Sequence, residues 1–400
     1  MSNYKKIKSY LFVIMSCFFS ACLTVNASET IDEIFSSKTK KVVKEKERER
    51  ESHHETCHRS SRGTKLVEEI LDGKSRCPDN SIESRKKVKT VRILEVDGGA
   101  MRGIMPATVL KKIEEETGQA ISDLFHLVGG TSVGCLLTAG LTLPSEGNKS
   151  KPRWSAKQLS DMLKTEAPKV FRRRIPLWSI YDTGALESLA EAKCGNTTFD
   201  QSIIPSVGIT FDCLAVKPKV ICSWETEEIF RTKDVFLASS AVPFAFYPRV
   251  LYPINFNAPN QRYLVADGFI GCNNPTAILV SKAKKLFPNI ESFEIVSLGN
   301  GIIKDPLYYR LFKGGLTLTN YALRIFDIGL NAISSEPDEY AKDLVVGHYT
   351  RINPIVSEGG GPFDASLKNL VSLEKDTETY LEENKKEFDA LNKRLSEPKD

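Results

Sequence analysis

Apolar and polar positions follow two different periods over the central part of the chain. The run from Thr90 to Val96 is apolar and rich in β-branched residues, which is typical of a buried strand. Ile104 to Thr117 then places apolar side chains at helical spacing and ends at Gly118, which predicts a helix with a glycine stop. A second strand is predicted over Leu124 to Val128. Because strands and helices alternate, the pattern predicts an α/β domain with a largely parallel sheet.

Further apolar runs extend this domain to about residue 355. Those that predict strands are Ser206 to Phe211, Val220 to Trp224, Tyr263 to Val265, Glu294 to Leu298 and His348 to Ile352. Residues 356–400 form a charged tail in which Leu373 to Leu395 carries a partial apolar stripe. Such a stripe predicts a helix that packs on the surface of the domain.

Residues 1–27 have the pattern of an export signal. Three lysines precede an apolar run from Tyr10 to Val25, which is shorter than the about 20 residues of a membrane-spanning helix. Small side chains at Val25 and Ala27 suit cleavage after Ala27. We therefore expect an exported protein, secreted or periplasmic. An uncleaved anchor and a lipid-modified Cys22 stay open as alternatives, and either would hold the protein at a membrane.

Residues 28–87 are polar and include the run of charges from Lys44 to Glu51. This segment lacks an apolar stripe, so it predicts a flexible linker. A cluster from His53 to His58 resembles half of a metal site, but no second cluster completes it and no metal is expected. The chain has 55 basic and 51 acidic residues, and loss of three lysines with the signal would leave it nearly neutral. This balance gives no indication of a nucleic-acid partner.

A GxSxG sequence, Gly130 to Gly134, follows a predicted strand and opens a predicted helix. A sharp turn in this place exposes the serine hydroxyl and needs glycine on both sides, since a Cβ would clash with neighbouring backbone. The N-terminus of the following helix favours a developing negative charge. Ser132 is therefore a candidate nucleophile, with Gly130 and Gly134 as the glycines of its turn. An ordinary tight turn is the alternative.

The glycine-rich segment from Asp97 to Gly103 also connects a strand to a helix. Its spacing fits neither the GxGxxG pattern of dinucleotide-binding loops nor a phosphate loop that ends in Lys-Ser/Thr. Consecutive small residues allow several N–H groups to point to one spot, as in an oxyanion hole. Gly98, Gly99 and Ala100 are the candidate donors, and Arg102 is placed to hold the loop. A purely structural turn is the alternative.

Asp267 stands at the end of a predicted strand and precedes Gly268. An aspartate in this position is typical of a turn, and it also suits a general base if a serine hydroxyl lies within reach. The reference pKa of an aspartate is about 3.9, so it is a weak base in water. We therefore expect Asp267 to lie in a partly desolvated pocket that raises its pKa.

The order of these motifs resembles the patatin-like phospholipases. A glycine-rich loop with a following Arg-Gly precedes GxSxG, and Asp-Gly follows far downstream. Three other blocks resemble that family as well: Ala238 to Pro243 with Tyr247-Pro248, Ser297 to Gly301, and Tyr349 to Asn353. The resemblance covers about residues 88 to 354. It implies a three-layer α/β/α domain over residues 88–355, with a mostly parallel central sheet, that hydrolyses acyl esters in lipids without metal or cofactor.

The resemblance also implies residue roles. Ser132 would be the nucleophile and Asp267 the base of a Ser–Asp dyad. Gly98, Gly99 and Ala100 would supply the N–H groups of an oxyanion hole, with Arg102 close by.

Two positions depart from the family pattern. Ala100 replaces the third glycine of the loop, which matters if the backbone there needs a positive φ. Phe269 stands where the family prefers a small residue. A Ser-Asp-His triad is the alternative to a dyad, because His348 follows Asp267 in the chain.

These expectations describe a phospholipase A or lysophospholipase that releases fatty acids from membrane glycerolipids. Peripheral membrane contact and a protein activator are compatible with them. Phe171 to Trp178 mixes basic and apolar residues, which predicts either a membrane-facing loop or a basic loop with core anchors. A neutral-lipid lipase, an acyltransferase, and a lipid-binding or regulatory protein on a catalytically retired scaffold stay open.

Overall fold

The computed structural model describes residues 82–172, 181–243, 245–255, 261–303, 334, 340, 342–343, 345–357 and 360–399. These residues belong to one unit that spans residues 75–400. The predicted export signal, the charged run and the histidine cluster of the linker lie outside the described residues. Within the described part, no helix combines the length and the apolar character that a membrane span requires.

A mostly parallel sheet forms the centre of this unit. Its strands are β1 (Thr90–Val96), β2 (Leu127–Thr131), β3 (Ser206–Asp212), β4 (Lys217–Cys222), β5 (Arg249–Leu251), β6 (Tyr263–Asp267), β7 (Ser292–Leu298) and β9 (Gly347–Ile352). Two short strands, β8 (Ile302–Ile303) and β10 (Ile355–Val356), form a separate pair. The spatial order is β5-β6-β3-β2-β1-β7-β9, and β4 also pairs with β3. The five strands from β3 to β9 in this order are parallel. β4 and β6 run antiparallel to β3, and β5 runs antiparallel to β6.

Helices cover both faces of the sheet. They are α1 (Ile82–Arg85), α2 (Ile104–Thr117), α3 (Ile121–Leu124), α4 (Val133–Thr142), α5 (Ala156–Val170), α6 (Thr183–Cys194), α7 (Thr232–Ser239), α8 (Thr276–Leu286), α9 (Leu367–Glu383) and α10 (Lys385–Ser396). Leu94 and Val96 of β1 face a core shared with α2, α4, α5, α9 and α10. Ile93 faces the opposite core, which α8 covers. The expected three-layer α/β/α architecture is confirmed.

The strongest local signals predicted the elements with the correct bounds. β1 and α2 begin and end where the sequence pattern placed them, and Gly118 ends α2 with φ +67°. The second predicted strand occurs as β2 but lies three residues later than expected, because Leu124 belongs to the helical turn Ile121–Leu124. A short apolar run does not distinguish a buried helical turn from a strand, which explains this error. The later predicted strands all occur, with ends that coincide or are shifted by at most three residues.

The C-terminal stretch forms two helices, α9 and α10, instead of the one helix expected. Leu391 and Leu395 of α10 are fully buried and belong to the main core. These helices therefore complete the core that supports the sheet, in addition to covering the surface.

Strand β1 is held at both of its ends by buried arginines. At its beginning, the guanidinium of Arg92 donates to the carbonyl oxygens of Leu395 (2.6 Å) and Glu397 (2.9 Å) at the end of α10. After its end, Asp97 receives two hydrogen bonds from Arg351, at 3.1 Å from Nη1 to Oδ1 and 2.6 Å from Nη2 to Oδ2. The bidentate geometry fixes both the position and the orientation of Asp97. The loop that begins there is therefore anchored at its first residue.

The same arginine contacts a second buried carboxylate. Glu95 pairs in register with Ser297 of β7, and Ser297 pairs with Arg351 of β9. The Ser297 hydroxyl donates to Glu95, and Nη1 of Arg351 lies 2.7 Å from the same hydroxyl and 3.5 Å from Glu95. Burial, and next the negative charge of Asp97, raise the pKa of Glu95 well above its ordinary value. Two buried acids thus share the charge of one arginine.

We expect Arg351→Met to destabilise the protein by about 3–5 kcal/mol, because it leaves the carboxylate of Asp97 buried without its cation. The free energy of unfolding from urea titration measures this loss. Lys157→Met is the control, since both side chains of its ion pair with Asp161 are exposed. That variant should lose far less stability. Equal losses in the two variants would contradict the role assigned to Arg351.

Candidate active site

Ser132 lies in a strained turn between β2 and α4. Its backbone has φ +55° and ψ −122°, in the region that residues other than glycine rarely adopt. Such a conformation costs about 1–3 kcal/mol and persists only where the surroundings enforce it. The N–H of Ser132 donates to the hydroxyl of Ser239 at 2.7 Å, and that hydroxyl donates to the carbonyl of Ile209. Helix α7 therefore holds the turn in place through Ser239.

The two flanking glycines are required by close backbone contacts. A Cβ at Gly134 would lie 2.1 Å from the carbonyl oxygen of Val96. A Cβ at Gly130 would lie 2.5 Å from the carbonyl carbon of Gly134. The expectation that a side chain at either position would clash with the backbone is confirmed.

Strand pairing explains why Ser132 and Asp267 meet. β2 ends at Thr131, which is level with Ile209 of β3. β6 pairs with the next residues of β3, and its last residue, Asp267, is level with Thr210. β4 pairs with the other edge of β3 over Val207 to Asp212, so β2 and β6 occupy the same edge one after the other. Because β6 runs antiparallel to β3 and β2 runs parallel to it, the ends of β2 and β6 meet on that edge. The residue after the end of β2 therefore faces the end of β6.

Asp267 lies in a fully buried environment. Its Oδ1 accepts the N–H of Phe269 at 2.9 Å, and its Oδ2 has no hydrogen-bond partner among the described residues. Burial raises the pKa of Asp267 from 3.8 to about 7, against smaller lowering effects from the Phe269 N–H and the Ser132 hydroxyl. The expected direction of the shift is confirmed. The two side chains are close without a regular hydrogen bond, an arrangement that often tightens when substrate binds.

Gly98 is held from both sides of its peptide. Its carbonyl accepts hydrogen bonds from the side-chain amides of Asn273 (3.0 Å) and Asn300, and its N–H donates to the carbonyl of Asn273 at 3.4 Å. The N–H of Gly98 is thus committed, which differs from the expectation that it is an open donor. The N–H groups of Gly99 and Ala100 have no partner within the described part of the chain.

The departure at Ala100 falls on a position that does adopt a positive φ, +49°. The alanine therefore carries backbone strain that a glycine would not, and its side chain lines the cavity described below.

Arg102 is fully buried and its Nε donates to the carbonyl of Gly360 at 2.9 Å. Met101 donates to the carbonyl of Pro362 at 2.9 Å. Arg102 thus holds the loop against the segment at residues 360–362.

An apolar cavity of about 670 Å³, including its open mouth, extends from Ser132. Its walls come from α4, α5, α6, α7 and the segments that contain Ala100, Ser240 and Phe363, and include Leu136, Leu159, Met162, Phe236 and Phe246. Phe269 does not line the cavity, but it packs against the apolar cluster that contains Phe236 and Phe246 of the cavity wall. An apolar cavity that contains a serine hydroxyl can hold a hydrocarbon chain beside a nucleophile.

The two described histidines lie away from this site. His348 is exposed and lies near the beginning of β9. It pairs in register with Glu294 of β7, which in turn pairs with Arg92 near the beginning of β1. Ser132 follows the far end of β2, so the triad alternative is contradicted. His126 is buried and its Nδ1 accepts the N–H of Arg92 at 3.0 Å, which is a structural role. No group of side chains with metal-ligating character occurs among the described residues.

Four supporting residues were missed as participants in the site: Ser239, Asn273, Asn300 and Arg351. Ser239, Asn300 and Arg351 lie in sequence blocks that resemble the patatin-like pattern, and Asn273 follows the Asp-Gly motif. That resemblance could have identified these residues as parts of the site, but it did not indicate what each of them does. Residues 173–178 of the basic and apolar stretch lie outside the described part of the chain.

Comparison with known proteins agrees with this geometry. Residues 94–280 match the family model described as patatin-like phospholipase. Patatin-like protein 2 of Oryza sativa is 28% identical over 353 residues, which cover 76% of this chain and 87% of the relative. Patatin-like protein 1 of Arabidopsis thaliana is 25% identical, covering 73% of this chain and 81% of the relative. Among solved structures, VipD from Legionella pneumophila aligns over 72% of this chain and 67% of its own with a TM-score of 0.28 and 11% identity, too low to carry an argument.

Residues 94–280 therefore match a patatin-like phospholipase domain, and the curated relatives that resemble the chain are patatin-like proteins. This similarity supports a lipid acyl hydrolase activity in general.

We expect Asp267→Asn to stabilise the protein at alkaline pH, because the folded state binds the proton of Asp267 more tightly than the unfolded state does. Wild-type stability is therefore lost as pH rises from about 4 to about 7, and the variant escapes that loss. The gain should be near zero at about pH 4 and about 1–4 kcal/mol at about pH 8.

Urea titrations at both pH values measure this difference. Asp161→Asn is the control, since Asp161 is exposed and its pKa is lowered by Lys157. That variant should show no gain at alkaline pH. A gain of Asp267→Asn that does not change with pH would contradict the raised pKa.

Proposed function

We propose that this protein is a serine lipid acyl hydrolase of the phospholipase A or lysophospholipase type. It releases fatty acids from membrane glycerolipids through a Ser132–Asp267 dyad and an acyl-enzyme. One observation carries the proposal: a strained, glycine-flanked serine opens into an apolar cavity next to a buried aspartate whose pKa lies near 7. A nucleophile, a base of matched pKa and a site for an acyl chain are thus present together.

In the first half of the reaction, Oγ of Ser132 attacks the ester carbonyl while Asp267 takes its proton. The N–H groups of Gly99 and Ala100 stabilise the oxyanion, together with the N-terminus of α4 at Val133. Collapse of the tetrahedral intermediate breaks the ester C–O bond, and Asp267 returns the proton to the leaving alcohol oxygen. The fatty acyl group stays bound to Ser132 with its chain in the apolar cavity.

In the second half, water attacks the acyl-enzyme and Asp267 takes a proton from it. The new tetrahedral intermediate collapses, the proton returns to Ser132, and the fatty acid leaves. Since a single carboxylate accepts and donates a proton in each half, a pKa close to neutral suits both tasks. The burial that raises the pKa of Asp267 therefore adapts an ordinary aspartate to this role.

Asn273, Asn300 and Arg351 position the loop without contact with the reacting atoms. They fix Gly98 and Asp97, so that the two N–H groups that follow have little freedom. Preorganised donors of this kind are worth about 3–4 kcal/mol each in lowering a barrier.

The same dyad would serve a neutral-lipid lipase or an acyltransferase. Profiling the acyl donor and acceptor separates these activities from the proposed one. A retired lipid-binding scaffold is disfavoured by the strain at Ser132, because a protein without need of a nucleophile gains nothing from that conformation.

We propose further that the protein is exported and contacts membranes peripherally. The sequence of residues 1–27 supports export, and a membrane substrate requires contact with the bilayer. Fractionation of cells that express the full chain, with mass determination of its N-terminus, tests this part. An intact N-terminus in the cytoplasm would contradict it.

We expect the full chain to release fatty acid from mixed phospholipid vesicles, and Ser132→Ala to abolish the release. Asp267→Asn should lower the rate by at least about a thousandfold, since it removes the base as a proton acceptor. Ser240→Ala is the control, because Ser240 also lines the cavity but is not in the turn. Activity that persists in Ser132→Ala would refute the proposed nucleophile. If the wild-type protein releases no fatty acid, addition of cell extract tests whether it needs a protein activator.

We expect kcat/KM to rise with pH and to be half-maximal near pH 7, because Asp267 must be ionised to accept the proton and its pKa is about 7. The measurement is a pH profile with a soluble ester, so that vesicle properties do not change with pH. A profile that is flat between about pH 5 and 9 would mean that another group is the base.

A further inference from the structure

We propose that the turn between β3 and β4 inserts into an anionic phospholipid bilayer and docks the active-site edge of the sheet on its substrate. The turn spans residues 213–216, and its three exposed residues, Leu214, Ala215 and Val216, are called the β3–β4 tip below. This inference rests on the proposed function, because it assigns the surface through which a membrane hydrolase meets its lipid.

The β3–β4 tip projects from the edge of the sheet that carries the nucleophile. β2 and β3 are parallel, and Thr131 at the end of β2 is level with Ile209. β3 continues to Asp212, about 10 Å further in the same direction at the usual rise of a strand. The tip follows Asp212 and therefore extends past the level of Ser132. A surface touched by the tip faces the edge at which the active site lies.

The tip exposes two large apolar side chains that contact little of the protein. Leu214 and Val216 are each 72% exposed. Val216 also has φ +51°, a conformation that a β-branched residue rarely adopts and that glycine or asparagine would adopt with less strain. Contacts of the Val216 side chain within the protein do not offset this backbone strain, because most of the side chain is exposed. The valine side chain gains free energy only if something outside the described protein covers it.

The tip is held firmly enough to act as an anchor. The buried carboxylate of Asp212 accepts the N–H groups of Leu214 (2.9 Å) and Ala215 (3.0 Å). A Cβ at Gly271 would lie 2.7 Å from Pro218, so the loop that follows Asp267 packs directly against β4. The tip is thus connected through a short rigid path to the segment that carries the proposed base.

Charges beside the tip decide which occupant fits. Lys217 follows the tip directly, is exposed and makes no ion pair among the described residues. Arg262 is also exposed and has no ion pair among the described residues. It lies near the tip in space, because it precedes β6, in which Val265 pairs with Asp212 at the base of the tip. Two unpaired cations around an apolar tip complement a surface with an apolar interior and negative headgroups. An anionic bilayer has both properties.

The test measures binding apart from hydrolysis. Full-length Ser132→Ala is sedimented with vesicles of phosphatidylcholine alone or mixed with phosphatidylserine. We expect binding to the mixed vesicles, weakened about tenfold or more by Leu214→Ser/Val216→Ser. Lys217→Gln/Arg262→Gln should weaken binding to the anionic vesicles by about fivefold per charge and leave the neutral vesicles unaffected.

Val346→Ser is the matched control. Val346 is also 72% exposed, but it precedes β9 and lies at the opposite end of the parallel strands from Ser132. Its replacement should leave vesicle binding unchanged. Equal binding by the tip variants and their parent would overturn the proposal and direct the search to a protein partner for the tip. A loss of binding as large in Val346→Ser as in the tip variant would overturn it too.

A second readout separates this inference from the proposed function. With Ser132 intact, Leu214→Ser/Val216→Ser should hydrolyse a soluble short-chain ester at the wild-type rate, since the tip does not line the cavity. Its hydrolysis of phospholipid in vesicles should fall in proportion to binding. Binding that depends on the tip, in a protein that hydrolyses neither substrate even after cell extract is added, would refute the proposed function and leave the docking surface standing. Loss of soluble-ester hydrolysis in the tip variant would overturn its assignment as a docking element alone.

Discussion

The candidate site depends on one constraint of the sheet: β2 and β6 pair with the same edge of β3 from opposite directions. Both strands must stop where they meet, and the residues at that point are Ser132 and Asp267. The junction leaves no room for side chains on the backbone, as the contacts of Gly130 and Gly268 show. The proposed dyad is therefore a consequence of strand topology, because the antiparallel β6 carries Asp267 to the end of a parallel strand that lies far away in sequence.

The site accumulates costs that the rest of the domain must offset. Ser132 and Ala100 both occupy positive φ, at about 1–3 kcal/mol each, and Asp267 is buried away from water. Each cost has a chemical use. The turn exposes a hydroxyl, the loop aligns N–H donors, and burial raises the pKa of the carboxylate. The strain is supported by parallel strands whose central residues, such as Ile93 and Leu94, have no exposed surface.

Local sequence patterns predicted the parts of the site that are themselves local. A glycine-flanked serine after an apolar run fixes a strand, a turn and a helix within about ten residues, so Ser132 and its neighbours could be found without a fold. The pairing of Asp97 with Arg351 joins residues 254 positions apart, and no local period encodes it. The same limit explains His348: chain order made it a plausible third member of a triad, whereas strand register places it at the opposite end of the sheet. Asn273 already donates to and accepts from Gly98, which is a property of packing and could not be read from the glycine-rich loop.

The position of β1 shows why the C-terminal helices matter to a site that contains none of their side chains. The proposed oxyanion loop begins where β1 ends, so any sliding of this strand moves the donors relative to Ser132. Arg351 prevents sliding at one end through Asp97, and Arg92 prevents it at the other through the carbonyl of Leu395, at the end of α10. A donor misplaced by a fraction of an ångström loses much of its effect on a transition state. Helix α10 therefore supports the proposed chemistry indirectly, by fixing the strand from which the loop begins.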